Sequence, residues 1–133
     1  MERIQNLIAI VDDDPFVLKA LARMLRARAF EPRTFGSARE FIASLPNELP
    51  ECLIADLQMP EMTGLELQHS SNRDGIRIPT IIITAHDETG VRNRCEAAGA
   101  VAFLAKPVQD TILLAAIDDA RRGSRNKATP RSD

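Results

Sequence analysis

Apolar residues follow two different patterns along this chain. Some stand in short continuous runs, and others recur at regular intervals among polar residues. Four short runs are rich in apolar residues and are predicted to be strands: residues 7–11, 53–56, 80–84 and 101–105. A more polar segment, residues 31–35, is predicted to be a further short strand. Between these runs, apolar residues recur every three or four positions, which is the period of a helix with one buried face. The chain is therefore predicted to alternate strand and helix.

The first and last predicted helices have the clearest patterns. Asp14 directly precedes Pro15, an order typical of a helix N-cap followed by proline at the first helical position. The last helix is predicted from about Asp110 to Arg122. The apolar stripe predicted for the first helix consists of Phe16, Val17, Ala20, Leu21, Met24 and Leu25.

The middle helices are predicted from weaker signals. Ser37 is suited to cap the second helix, and Gly99 is suited to end the fourth. The third helix begins at about Thr63 and has few apolar residues after Leu67, so it is expected to be short or lightly packed.

The alternation predicts an α/β fold of the (βα)5 type, in which a parallel sheet has helices on both faces. Pro32 cannot donate a hydrogen bond within a sheet, so the second strand is placed at an edge. Residues 123–133 are polar and basic, and we expect a disordered tail or the start of a linker there. Residues 1–122 are expected to form one domain.

Composition narrows the classes of function. The chain has a net charge of −2 and five Phe without Trp or Tyr, which argues against direct nucleic-acid binding by this chain. Cys52 and Cys95 stand in apolar patterns and are predicted to be buried free thiols, which suits a reducing compartment. No segment resembles a signal peptide or a membrane span, so a cytoplasmic protein without membrane contact is expected.

Polar side chains end four of the five predicted strands. Asp12 and Asp13 follow the first strand, and Asp56, Thr84 and Lys106 end the third, fourth and fifth. Because the carboxyl ends of parallel strands meet at one edge, where open α/β sheets bind ligands, these side chains are predicted to form one site.

The charges in this predicted site point to a cation. Neighbouring carboxylates repel one another by roughly 4 kcal/mol per pair at an effective dielectric constant of about 20. Oxygen ligands favour a hard cation, and Mg2+ is the natural choice. Carboxylate, metal, lysine and hydroxyl together are the components needed for phosphoryl transfer onto an aspartate.

Four motifs, in this order and spacing, resemble the receiver domain of two-component response regulators over about residues 4 to 122. They are Val11–Asp14, Asp56–Gly64, Ile83–Ala85 and Phe103–Pro107. The resemblance implies a flavodoxin-like, doubly wound sheet of five parallel strands in the order 2-1-3-4-5. It also implies phosphorelay signalling by a phospho-acceptor domain rather than an enzyme, with self-phosphorylation and slow autodephosphorylation.

The resemblance also assigns roles to the acidic residues. Asp56 is expected to accept the phosphoryl group from the phosphohistidine of a sensor histidine kinase or phosphotransfer protein. Asp12, Asp13 and Asp56, with the backbone carbonyl of Gln58, are expected to bind Mg2+, with Mn2+ as an alternative. Asp13 is expected to be the closer metal ligand and Asp12 to act through water.

The remaining motif residues are implied to switch the domain. Thr84 is expected to hydrogen-bond the phosphoryl group, and Phe103 to follow it inward. Lys106 is expected to pair with the phosphoryl oxygens, and the bond before Pro107 to be cis. Ala85 is small, as access to Asp56 requires. The surface of the fourth helix, fifth strand and fifth helix is the implied readout surface.

Gln58 and His86 lie where the family varies and where it controls hydrolysis of the aspartyl phosphate. One hypothesis is that His86 lies near the path of the attacking water and makes dephosphorylation depend on pH near neutrality. The other interpretation, a solvated loop histidine, stays open.

The readout partner is open as well. Residues 97–107 resemble receivers that precede a helix-turn-helix output, but the chain contains none, so it is either a stand-alone receiver or part of a DNA-binding transcription regulator. A phosphorylation-dependent homodimer and a different protein are both compatible with the sequence. Gln68 and Ser71, which replace more usual apolar residues, put any partner surface on the third helix in doubt.

Three other functions compete with this interpretation. A pseudo-receiver would fold without turning over phosphate, although the acidic set is intact. An aspartate-nucleophile phosphatase would use Asp12 and Asp14 as a D-x-D motif, but it would leave Asp56 unexplained. A flavodoxin-like binding module would need a loop rich in Ser, Thr and Gly after the first strand, where this chain is acidic.

Overall fold

A computed structural model describes residues 3–45, 47–59, 62–73, 75–85 and 89–127. Within these ranges, strands occupy Ile4–Val11 (β1), Glu31–Phe35 (β2), Pro50–Asp56 (β3), Thr80–Thr84 (β4) and Ala102–Ala105 (β5). Helices occupy Pro15–Ala27 (α1), Ala38–Ser44 (α2), Gly64–Arg73 (α3), Thr89–Ala97 (α4) and Asp110–Lys127 (α5).

The strands form one parallel sheet in the order β2-β1-β3-β4-β5, which confirms the predicted fold class. Pro32 lies on the edge strand β2, opposite Ile8 of β1. In the register of the central strands, Val11 is opposite Ala55 and Thr84 is opposite Ala105. The strands therefore end nearly level with one another at their carboxyl edge.

Two buried clusters cover the two faces of the sheet. On one face, residues of α2, α3 and α4, such as Phe41, Leu67 and Cys95, pack against the strands. On the other face, residues of α1 and α5, such as Leu25 and Leu113, do the same. Helices on both faces are what the central strands require, since residues 7–11 of β1, 52–56 of β3 and all of β4 are buried.

The stripe predicted for α1 is partly wrong. Phe16 is 80% exposed, and Leu18 packs against the core in its place. Ala20 is exposed as well. The face that packs against the core consists of Leu18, Leu21, Ala22, Met24 and Leu25, so Leu21, Met24 and Leu25 are confirmed. The predicted cap is confirmed, because Asp14 Oδ1 accepts a hydrogen bond from the Phe16 amide at 2.9 Å.

The third helix begins within one residue of its predicted start and has ten residues, so it is not short. A capping box stabilises its start: Thr63 Oγ1 accepts from the Glu66 amide at 3.1 Å, and Glu66 Oε1 accepts from the Thr63 amide at 2.9 Å. Leu67 is fully buried, and Gln68 is only 5% exposed. These local hydrogen bonds compensate for the short apolar face.

The last helix continues past its expected end at Arg122 and reaches Lys127, so the predicted disordered tail begins too early. Arg122 forms ion pairs with Asp118 and Asp119 of the preceding turn. Gly123 costs a helix only about 1 kcal/mol relative to Ala, so it need not end one. Residues 128–133 lie outside the described residues, and disorder remains a prediction for them.

Two further predictions concern the thiols and the membrane. Cys52 and Cys95 are both buried and free, as predicted. Burial raises the pKa of the Cys52 thiol to about 12, which leaves it protonated and unreactive at neutral pH. Across the described ranges, no helix combines the length and apolar character needed to cross a membrane.

Candidate functional site

The carboxyl edge of the sheet brings three aspartates together. Carboxylate oxygens of Asp12, Asp13 and Asp56 lie within 4.8 Å of one another. Asp12 is fully buried, Asp56 is 5% exposed and Asp13 is exposed. Their proximity follows from the topology, because β1 and β3 are neighbours and end level with each other.

Lys106 contacts this acidic cluster from the carboxyl end of β5, an outermost strand of the sheet. Its Nζ lies 3.0 Å from Asp12 Oδ2 and 3.5 Å from Asp56 Oδ1. The Lys106 amide donates to the Thr84 carbonyl at 2.7 Å, and the following bond to Pro107 is cis, as expected. One ammonium group therefore contacts the two buried carboxylates.

The charges of the site are not balanced. Burial raises the pKa of Asp56, and the charge of Asp12 raises it further, against the opposing effects of Lys106 and the Gln58 amide. Burial lowers the pKa of Lys106, but its hydrogen bond to Asp12 and the two carboxylate charges outweigh this and raise it overall. The site thus has an excess of negative charge that a cation would neutralise.

The loop after β3 approaches Asp56 closely at Gly64, a residue that the sequence pattern indicates only as a breaker of regular structure. A Cβ atom at Gly64 would lie 2.8 Å from the Asp56 carbonyl oxygen. The Gly64 amide also donates to the Leu57 carbonyl at 3.0 Å. Gly64 therefore permits the backbone contact that holds the loop against Asp56.

Backbone amides orient both buried carboxylates. Asp12 Oδ1 accepts from the Asp14 amide at 2.9 Å, and Asp56 Oδ1 accepts a longer hydrogen bond from the Gln58 amide at 3.4 Å. Asp14 itself caps α1, because its Oδ1 accepts from the Phe16 amide at 2.9 Å.

The other predicted site residues lie at the same edge or just below it. Thr84 is fully buried at the end of β4, Ala85 follows it and is exposed, and the side chain of Gln58 is exposed. Phe103 lies in β5, buried to 4% exposure. His86 lies outside the described residues, so its proposed role stays a prediction.

The donor set fits a hard divalent cation. Asp12, Asp13 and Asp56 offer only carboxylate oxygens, and the backbone carbonyl of Gln58 lies two residues beyond Asp56. Hard cations such as Mg2+ prefer oxygen ligands and keep several waters, which the exposed side at Asp13 allows.

Comparisons with known proteins agree with the fold and show the family. The sequence model of the family described as "Response regulator receiver domain" matches residues 8–118. The transcriptional regulatory protein FixJ of Rhizobium meliloti (strain 1021) is 39% identical over 113 residues, which are 85% of this chain and 55% of that protein. Nodulation protein W of Bradyrhizobium diazoefficiens is 35% identical, over 91% of this chain and 53% of its own length.

Solved structures give the same result. A crystal structure of FixJ-N is 36% identical, with a TM-score of 0.82 over 92% of this chain and 95% of that chain. The response regulator StyR is 35% identical, with a TM-score of 0.85 over 92% of this chain and 62% of that one. The chain spans about half the length of the curated relatives it matches.

Proposed function

The chain belongs to the response regulator receiver family, and on that premise we propose that it accepts a phosphoryl group on Asp56. Receiver domains are signalling domains that interact with histidine kinases or phosphotransfer proteins. The observation that carries the proposal is the buried Asp56 carboxylate, 3.5 Å from Lys106 and beside two further carboxylates.

The donor is the phosphohistidine of a sensor kinase or phosphotransfer protein. A carboxylate oxygen of Asp56 attacks phosphorus, so that an O–P bond forms as the P–N bond to the imidazole breaks. The electron pair of that bond stays on the imidazole nitrogen, which takes a proton from solvent. Later attack of water on phosphorus releases inorganic phosphate and restores the carboxylate.

Each polar group at the edge has a task in this reaction. Lys106 pairs with the phosphoryl oxygens, and Thr84 donates a hydrogen bond to one of them. Asp12, Asp13, Asp56 and the Gln58 carbonyl would hold Mg2+, or Mn2+ in its place. The bound cation supplies positive charge against the charge that accumulates on the phosphoryl oxygens.

Phosphorylation then shifts the domain between two states. New contacts from Thr84 and Lys106 to the phosphoryl group favour the state in which Phe103 lies inward. The readout surface is formed by α4, β5 and α5, and its partner is a second copy or another protein. Gln58, Ala85 and His86 set how readily water reaches the aspartyl phosphate.

The direct test is the intact mass of the protein after incubation with acetyl phosphate and Mg2+. The wild type should gain one phosphoryl group, and Asp56→Asn should gain none. Asp14→Asn is the matched control, because it removes the same charge while asparagine remains a good helix cap. Chelation of the metal with EDTA should prevent the gain in mass of the wild type and of Asp14→Asn.

These variants and Asp12→Asn separate a receiver from a phosphatase and from a pseudo-receiver. An aspartate-nucleophile phosphatase would lose its covalent phosphate in Asp12→Asn and lose turnover in Asp14→Asn, and it would keep both in Asp56→Asn. A folded wild type that gains no mass and does not bind beryllofluoride, a phosphoryl analogue, in the presence of Mg2+ would be a pseudo-receiver.

A further inference from the structure

The switch ring, Phe103, has an arginine over its face. The guanidinium carbon of Arg92 lies 5.0 Å from the centroid of the Phe103 ring. Arg92 is half-buried on α4, and Phe103 is only 4% exposed in β5. A guanidinium within about 6 Å of a ring centroid is attracted to the electron-rich face of the ring.

Phe103 has no polar atom of its own. A ring that ended in a hydroxyl could gain a hydrogen bond in an outward position, but a phenylalanine ring gains nothing there and loses its apolar contacts. The position of this ring therefore depends on what touches its edges and faces when it is buried. Arg92 provides a charged contact of this kind, which an outward ring would lose.

The strand register connects this ring to the phosphorylation site. Phe103 is opposite Ile82, and two residues farther along the same pair of strands Ala105 is opposite Thr84. Lys106, which contacts Asp12 and Asp56, follows directly. The ring and the groups that would bind the phosphoryl oxygens therefore share one short stretch of β4 and β5.

We propose that Arg92 is a positioning residue of the switch: its contact with the Phe103 ring favours the inward ring and so raises the affinity of the site for a phosphoryl group. The inference rests on the proposed function, since it needs phosphorylation and the inward ring to favour the same state. Any contact that is present only in that state shifts the equilibrium toward it and reduces what phosphorylation must supply.

Three variants test this proposal. Arg92→Gln removes the charge and keeps a good helix former, and Arg92→Lys restores a cation. Arg94→Gln is the matched control, because Arg94 is an exposed arginine on the same helix. Each protein is labelled with 4-fluorophenylalanine, and the Phe103 signal is assigned by its disappearance in Phe103→Leu.

Two readouts are taken from each labelled protein. The fluorine spectrum of the free protein reports the position of the ring. A titration with beryllofluoride in saturating Mg2+ reports the affinity for a phosphoryl analogue. We expect Arg92→Gln to shift the Phe103 signal toward that of an exposed ring and to weaken binding by about 2- to 30-fold.

The controls determine how these results are interpreted. Arg92→Lys should recover part of the affinity, and Arg94→Gln should stay within about two-fold of the wild type, as for a solvent-screened charge. An unchanged Phe103 signal in Arg92→Gln overturns the proposal. So does equal loss of affinity in Arg92→Gln and Arg94→Gln, which would indicate general electrostatics. Failure of the wild type itself to bind beryllofluoride would overturn the proposed function, whatever the fluorine spectrum shows.

Discussion

Charged side chains meet at both edges of the sheet, but the net charge is negative at one edge and zero at the other. At the carboxyl edge, Lys106 contacts two buried carboxylates and Asp13 adds a third. At the amino edge, Glu51 and Arg121 form a single pair, with side chains 15% and 16% exposed. The first edge has an excess of negative charge, and the second is neutral.

The amino edge is also joined by hydrogen bonds to a backbone amide and to a side-chain amide. Glu51 Oε2 accepts from the Asn6 amide at 2.8 Å, and Arg121 Nη2 donates to Asn6 Oδ1 at 2.9 Å. Arg121 Nε lies 3.0 Å from Glu51 Oε2 as an ion pair without hydrogen-bond alignment, and its guanidinium lies over Phe30 at 5.3 Å. This network supports Asn6, whose φ of 65° shifts the register of β1 against β3.

The contrast separates the edge that is suited to chemistry from the edge that stabilises the fold. The balanced, partly buried pair of Glu51 and Arg121 needs no further ion and ties α5 to the start of β1 and β3. An unbalanced cluster is electrostatically costly until a cation or a proton arrives.

Removing the lysine of the unbalanced edge should have the largest effect. Lys106→Met should lower the rate of phosphorylation of Asp56 by acetyl phosphate about 100-fold or more, because a charge that stabilises the phosphoryl oxygens is lost. Arg121→Met, the same change at the amino edge, should leave the rate within about two-fold. The rates are measured from intact mass against time; equal losses would abolish the distinction between the edges.

Breaking the balanced pair should act on stability instead. Arg121→Met should lower the free energy of unfolding by about 2 kcal/mol, because the largely covered carboxylate of Glu51 loses its cation. The double variant Glu51→Gln, Arg121→Met should recover part of this loss. Urea denaturation followed by circular dichroism gives both values. If the double variant loses as much free energy of unfolding as Glu51→Gln and Arg121→Met lose together, the two side chains are not coupled.

Neutralising Asp56 should stabilise the metal-free protein. With EDTA at pH 7, Asp56→Asn should raise the free energy of unfolding by about 1 kcal/mol, because the repulsion between the carboxylates of Asp12 and Asp56 disappears. The pKa of Asp56 is raised in the fold above its ordinary value of 3.8, so ionised Asp56 destabilises the fold above that raised pKa. The advantage of the variant should therefore fade as the pH falls toward 3.8.

Mg2+ provides the control for the stability of Asp56→Asn. The cation binds the charged wild-type site better than the neutral one, so it should reduce or reverse the advantage of Asp56→Asn at pH 7. Paired urea titrations with and without Mg2+ measure the effect. A variant that is less stable than the wild type in EDTA at pH 7 would contradict the picture of an unbalanced site.

The smallest expected effect is at a helix end. Both α1 and α4 end in the same hydrogen-bond pattern: Phe30 and Ala100 donate to the carbonyls of Leu25 and Cys95, each at 3.0 Å. The residue before each donor has positive φ, Ala29 at 68° and Gly99 at 104°. Only glycine adopts this conformation without strain.

Ala29→Gly should therefore raise the free energy of unfolding by about 0.5–1 kcal/mol, the relieved strain less the greater chain entropy of glycine. Gly99→Ala is the reverse control and should lower it by a similar amount. The phosphorylation rate should not change in either variant. Thermal unfolding gives the first result and intact mass the second; a changed rate would mean that these helix ends are coupled to the site.

The sequence alone determined much of this protein, because its signals are local. The alternation of apolar runs and helical periods determined the element order, and Asp14 and Ser37 cap their helices as predicted. Parallel strands place their carboxyl ends together, so the positions of Asp12, Asp13, Asp56 and Lys106 at strand ends are enough to group them into one site. The motifs then identified the family.

Contacts between positions far apart in the sequence depend on how the whole chain packs. The approach of Gly64 to the Asp56 backbone, the position of Arg92 over Phe103 and the network of Asn6, Glu51 and Arg121 each join residues that no local pattern connects. The true end of α5 at Lys127 was missed for a related reason: helix propagation across Gly123 depends on a small difference in free energy. Residue spacing specifies secondary structure, whereas packing decides which side chains meet.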